Sequence, residues 1–229
     1  MNNNPNPGYS SYEPEVLLDN FEKLLPLSIQ IISDRKDEAT AERVVGGARL
    51  EFEKLMPELP YVGDARYPLP QNLIQSAVAL SYYRSLVRTG MNSEQAGTIV
   101  SEVAEASARA VPEEQLLALG EMQFKEEWYQ MQRKFAAKSQ ERRYPGDWVV
   151  SFVEGVPGEF DWGYDFTECA ILKLFKSQGA EELVPYLCKL DFIISKLQNT
   201  GLHRTKTLAT GGDCCDFRYK KGRDVQIPL

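Results

Sequence analysis

The chain has 229 residues, 43% hydrophobic and 26% charged, which is enough to bury one good core or two small ones and is ordinary for a packed protein. Its 26 Lys and Arg against 33 Asp and Glu leave a net charge of -7, so phosphate backbones and anionic bilayers repel it, and neither nucleic acid nor membrane is an expected partner. No apolar run reaches the length of a membrane span, the opening MNNNPNPGYSSY lacks an export signal, and the four cysteines are expected to be reduced thiols in a cytoplasmic protein.

Residues 1–12, rich in Asn and Pro, are expected to form a mobile tail. A helical part follows over 13–143. Val16, Leu17, Phe21, Leu24 and Leu25 form one apolar face before Pro26, which should kink that helix or begin another. Val44, Ala48, Phe52, Leu55 and Met56 form the next face, and Leu73, Ala77, Leu80 and Val87 a third. Asn92 with Gln95 reads as a capping pair for a helix through Ile99, Val103 and Ala106. A longer helix carries Leu117, Phe124, Trp128, Met131 and Phe135, whose aromatics read as core.

The pattern changes at Pro145-Gly146, where an α+β part over 147–224 begins. The stretches WVVSFVEG and DWGYDF read as strands, Thr167–Gln178 and Ala180–Gln198 as helices, and LHRTKTLA and CCDFRYK as two closing strands. The order is β-β-α-α-β-β behind five or so helices, an α+β fold with an antiparallel sheet. A two-residue turn at Gly211-Gly212 would pair Leu208 with Cys215, Thr207 with Asp216 and Thr205 with Arg218. Cys215, Phe217 and Tyr219 then share one face, and Asp216 and Arg218 the other.

All four cysteines and the sole histidine, His203, lie in the last third. Asp165 or Thr167 can cap the helix in whose first turn Cys169 falls, where the helix dipole favours a thiolate. Cys188 and Asp191 are three residues apart on one helix face, beside an aliphatic stripe. His203 reads more readily as a surface residue than as a catalyst, and Cys214 as a small sheet residue.

The stretch from FDWGYDFTEC to GGDCCDFRY resembles the C-terminal region of the L-2-amino-thiazoline-4-carboxylic acid hydrolase family. The resemblance is carried by Cys169, by Cys188 with Asp191, by Thr207, Leu208 and Gly211, and by Cys215, Asp216, Phe217 and Arg218. It implies hydrolytic opening of a C–N bond in a small cyclic amidine, amide or lactam, with an N-carbamoyl amino acid as the family's product. The catalytic candidates are Cys169, Cys188, Asp191 and Cys215. Arg204, Thr207, Asp216 and Arg218 are the candidates for binding a carboxylate-bearing small molecule, with an arginine as its bidentate anchor. The hairpin also resembles four-vinyl-reductase and TRAPP-like domains, which supplies a rival reading as a non-catalytic ligand-binding or scaffold domain.

Three mechanisms fit these residues: thiolate attack on a C=N or C=O carbon, a thiolate-bound metal activating water, and acid-base work by Asp191 and Asp216. Thiolate attack leads, and no metal is expected because no short Cys-x-x-Cys clip occurs. The cofactor is left unassigned and self-association is left open.

Overall fold

A computed structural model describes residues 12–64 and 68–228. The tail expected over 1–12 lies outside these residues apart from Tyr12, which is buried and whose hydroxyl accepts a hydrogen bond from the Val62 amide at 3.2 Å. The fold is α+β, a helical region followed by strands. The helical region holds α1 (Pro14–Arg35), α2 (Glu38–Leu55), α3 (Pro68–Arg88), α4 (Ser93–Arg109), α5 (Glu113–Met122) and α6 (Glu126–Ser139). No helix among the described residues is long and apolar enough to cross a membrane.

Pro26 neither ends α1 nor begins a second helix. Leu17 and Phe21 before it and Ile32 after it are all buried in one core, and that burial outweighs the single backbone bond the ring removes. Each fully buried Phe or Ile contributes about 1.5–3 kcal/mol. At α4 the capping pair forms as expected: the Asn92 side chain accepts from the Gln95 amide at 2.8 Å, and the Gln95 side chain accepts from the Asn92 amide at 3.2 Å.

The single long helix expected after α4 is instead two, α5 and α6, broken at Gln123–Lys125. Gly120 seats α5 against the chain that follows the second helical stretch of the α+β part, so closely that a Cβ there would lie 1.8 Å from the Gln198 carbonyl oxygen. Trp128 and Phe135 must meanwhile reach the sheet, and one straight helix cannot serve both contacts. Leu117 and Met131, which share the expected helical spacing with those aromatics, are exposed.

The α+β part holds β1 (Val149–Val156), β2 (Phe160–Glu168), α7 (Ala170–Ser177), α8 (Val184–Cys188), α9 (Leu190–Leu197), β3 (Leu202–His203) and β4 (Cys215–Tyr219). The sheet is antiparallel in the order β1-β2-β4-β3. Alternation sends Phe152, Trp162, Tyr164, Phe166, Phe217 and Tyr219 to one face, and α6 covers this aromatic layer with Trp128, Tyr129 and Ala136. Phe192 of α9 and Leu202 close the end of that face nearest β4. The main core joins α1 to α4 with Ala170, Leu174 and Phe175 of α7.

The closing hairpin is not the tight one expected. β3 has two residues, His203 rather than Thr205 stands opposite Arg218, and residues 204–214 form a loop. Asp216 is the physical reason: its carboxylate accepts hydrogen bonds from the amides of Thr205 at 2.9 Å and Lys206 at 2.8 Å, donors that a longer ladder would have used. The loop ends in a 3-10 turn at Leu208–Thr210 that Gly211 terminates with φ +86°. The register differs by two residues, so the faces are kept and Cys215 still points inward, buried.

Candidate active site

Four segments converge where the start of α7, the α8–α9 junction and the edge of β4 meet. Cys169 is the residue at which extended backbone turns into α7, not a member of its first turn, and the caps expected from Asp165 and Thr167 lie instead in β2. Cys188 ends α8, and Asp191 lies in the first turn of α9. Cys215 begins β4 opposite Phe166, and its sulfur accepts a hydrogen bond from the Leu208 amide at 3.2 Å. The fourth segment brings Arg204 from the β3–β4 loop.

Arg204 holds the group together. Its side chain is only 4% exposed. One guanidinium nitrogen donates to Asp191 Oδ2 at 2.6 Å and another to the Cys188 carbonyl oxygen at 2.8 Å. The planar group lies between the rings of Phe192 and Phe217, 4.8 Å from each centroid. The fork therefore ties the end of α8 to the start of α9, while the two rings fix its plane.

Burial dominates the titration of the site. It pushes Cys169 up, against the opposing pull of the Leu172 and Ile171 backbone N–H groups and of Trp148, so the helix start does not produce the expected thiolate. Cys188 is raised strongly by burial and further by the charge of Asp191, and Cys215 is pushed up to about 11 by burial. Cys188 lies near enough to Cys169 and Cys215 to feel the charge of each. These are thiols at neutral pH. Asp191 is raised by burial, with the charge and hydrogen bond of Arg204 pulling the other way. Its side chain nevertheless keeps 39% of its surface open. That surface faces a cavity lined chiefly by aliphatic side chains, so burial still dominates.

The cavity, about 610 Å³, lies among α1, α3, α4, α5 and α9. Where the inner face of the sheet meets the helices, α6 and the aromatic side chains pack together. Asp191 belongs to the cavity wall, whereas Cys169, Cys188 and Cys215 do not line it and stand behind Ile171, Leu187 and Leu190, which do.

The remaining expected site residues lie elsewhere. Arg218 is on the outer face of the sheet, where it donates to the carbonyl oxygens of Tyr164 and Phe217 at 2.9 Å each and pairs with Asp165 at 2.8 Å. Gly163 stands opposite it, and a Cβ there would come within 2.9 Å of the Arg218 side chain. Asp216 holds Thr205 and Lys206, not Arg218, and the Thr207 hydroxyl accepts from the Thr210 amide at 3.2 Å. His203 is exposed. The basic residues of the closing segment are mutually accounted for: Lys206 pairs with Asp213 and Lys221 with Glu121. Among the described residues no group of three or more His, Cys, Asp or Glu is arranged to hold a metal ion.

Sequence reasoning missed the cavity walls, which come from the helical region. The available signal was a run of small residues, Ala104, Ser107 and Ala108, three and four apart on α4, opposite Ser76 and Ala79 of α3, which leaves volume between the helices. Trp148 beside Cys169 had no signal beyond its type.

A family model described as L-2-amino-thiazoline-4-carboxylic acid hydrolase matches residues 71–219, from α3 through β4. No curated protein and no solved structure gives a significant match.

Proposed function

The chain belongs to the L-2-amino-thiazoline-4-carboxylic acid hydrolase family, and from that premise we propose that it hydrolyses a small, carboxylate-bearing cyclic amidine or amide at the cavity wall carrying Asp191. The observation that supports this most is the carboxyl of Asp191, raised by burial, held by Arg204 and open to a cavity of ligand size. A carboxyl in such a setting exchanges protons at a pH nearer neutrality than a solvated one.

In the proposed reaction Asp191 takes a proton from water as its oxygen bonds to the amidine or carbonyl carbon. The tetrahedral centre then collapses, the ring bond to that carbon breaks, and Asp191 returns the proton to the departing ring atom. With an aminothiazoline ring and an N-carbamoyl product, both nitrogens stay on the attacked carbon and the bond that breaks is C–S. With a lactam or cyclic amide it is C–N. Arg204 orients the carboxyl through its bond to Asp191 Oδ2 while its second nitrogen is fixed on the Cys188 carbonyl oxygen, and it is a positioning residue. Arg204 and Arg218 are both fully engaged, so the role of carboxylate anchor passes to Lys23 at the cavity wall, whose exposed pair with Asp19 is easily exchanged.

The thiols enter as the protein-side alternative nucleophile, with Cys188 nearest in sequence to the carboxyl that would take its proton. The test is incubation of the purified chain with L-2-amino-thiazoline-4-carboxylic acid and a panel of cyclic amidines, amides and lactams, with products followed by mass. Gain of one water is expected. Cys169→Ser, Cys188→Ser and Cys215→Ser should each keep turnover if water is the nucleophile, and one of them should abolish it if a thiol is. Failure of every ring to open would refute the hydrolase reading. One observation favours a second reading, a ligand-binding domain of the four-vinyl-reductase or TRAPP-like type: all four thiols sit above their ordinary range, as packing residues do. Ring binding without turnover would support it.

A further inference from the structure

The cavity is not shaped for a bare ring. Pockets of about 300–1,000 Å³ take drug-sized ligands. The cavity here, about 610 Å³, is in that range, whereas a single five-membered ring with one amino and one carboxylate group is far smaller. Asp191 is the one acidic residue among its described lining residues. Beyond it the lining is chiefly aliphatic, with Ile99, Val100, Val103 and Leu116 each at most 6% exposed, and the buried side chains of Asn20 and Ser76 in the same wall donate to the Val16 and Asn72 carbonyl oxygens of their own helices. The polar lining residues Lys23, Asn72 and Gln75 are exposed, at the rim.

We propose that the ligand of this cavity is a cyclic amidine or amide bearing an extended apolar substituent, its ring at Asp191 and its substituent along the Ile99–Val103 face of α4. Bulk water filling so apolar a space would be released by such a group, and each added methylene is favourable. The proposal rests on the hydrolase reading only for what happens at the ring. The recognition of the apolar substituent stands on the cavity alone.

The experiment uses the full chain and paired probes: L-2-amino-thiazoline-4-carboxylic acid, and the same ring carrying a butyl or a benzyl group on its exocyclic nitrogen. Binding is measured by calorimetry and, separately, ring opening by mass. Since a single methylene in an apolar pocket is worth about tenfold or more, the butyl probe should bind at least about 10-fold more tightly than the bare ring. Ala104→Phe, which fills the cavity from α4, should abolish that preference, and Ala79→Leu, a smaller filling from α3, should reduce it. Circular dichroism and thermal unfolding check that both variants fold, and if Ala104→Phe does not, Ala79→Leu carries the test. Equal binding of bare and substituted rings, or a preference that survives in the folded filling variants, would overturn the inference. Tight substituted-probe binding without turnover would refute the hydrolase reading and leave this inference standing. Turnover of the bare ring without any preference would do the reverse.

Discussion

Replacing Arg204 by Met keeps a long, polarisable side chain between Phe192 and Phe217 and removes the charge and both hydrogen bonds. Breaking a buried pair by removing one partner costs about 3–5 kcal/mol, because the other charge is stranded. Asp191 keeps 39% of its side chain open to the cavity, where water can reach it, so the low end applies and a loss of about 3 kcal/mol is expected. For a chain of this size that corresponds to a melting temperature lower by about 6–12 °C. The deficit has a pH signature. The folded-state pKa of Asp191 is already raised above its ordinary 3.8, and without Arg204 the pull that lowers it is lost, so it rises further. A raised folded pKa contributes stability fully present below the unfolded pKa and lost as pH rises through the folded value, so the variant should lie closest to wild type in acid and fall behind towards neutrality. Urea unfolding of both proteins across pH 4 to 8 measures this (the range is set at about the carboxyl pKa and above). A neutral-pH difference under about 0.5 kcal/mol, the size of an ordinary surface change, would refute the reasoning, as would a deficit independent of pH.

Three further outcomes are expected. Glu51 is buried, and hydrogen bonding to Arg88 first and Lys54 second holds its carboxyl down at about 2 against an ordinary 4.5, so its stabilisation is present above pH 4.5 and lost as pH falls towards 2. Both cations are largely exposed, so the effect is about 1 kcal/mol, and Glu51→Gln should flatten that part of the acid unfolding curve; an unchanged curve would contradict the assignment. Thiol labelling of the native protein at neutral pH should reach Cys214 on the loop first, leaving Cys169, Cys188 and Cys215 slow, and rapid modification of Cys188 would contradict its raised pKa. Arg218→Met should destabilise the sheet by about 1–3 kcal/mol through unpaired carbonyls and Asp165, without changing KM, since its contacts lie on the outer face; a raised KM at unchanged stability would restore it as a substrate anchor.

The elements that the sequence revealed were those whose local and tertiary preferences agree. The Asn92–Gln95 capping pair, the strand alternation through Trp162 and Tyr164 and the inward run Cys215, Phe217, Tyr219 are all written in short-range patterns. The α5–α6 break was not, because it follows from Gly120 meeting Gln198, residues far apart in the chain. The hairpin misled for a similar reason: Gly211-Gly212 does turn the chain, yet a side chain, Asp216, competes for the backbone donors that a ladder would use. At the site, Cys188 with Asp191 was legible from their spacing, while the grouping with Cys169 and Cys215 came only from the family resemblance. The occupied state of Arg204 was not, since spacing says nothing of the two rings that receive it. Nor was the thiol pKa direction, because a helix start favours a thiolate only where water or charge accompanies it, and here burial prevails.

The most direct test of the central claim is the ring-opening rate of Asp191→Asn beside wild type, on the best substrate found among the cyclic amidines and amides. Asn keeps the shape and a contact for Arg204 but cannot carry the proton, so kcat/KM should fall by about 100-fold or more while the circular dichroism spectrum stays that of the folded chain. Wild-type kcat/KM in the folded Asp191→Asn variant would contradict the account.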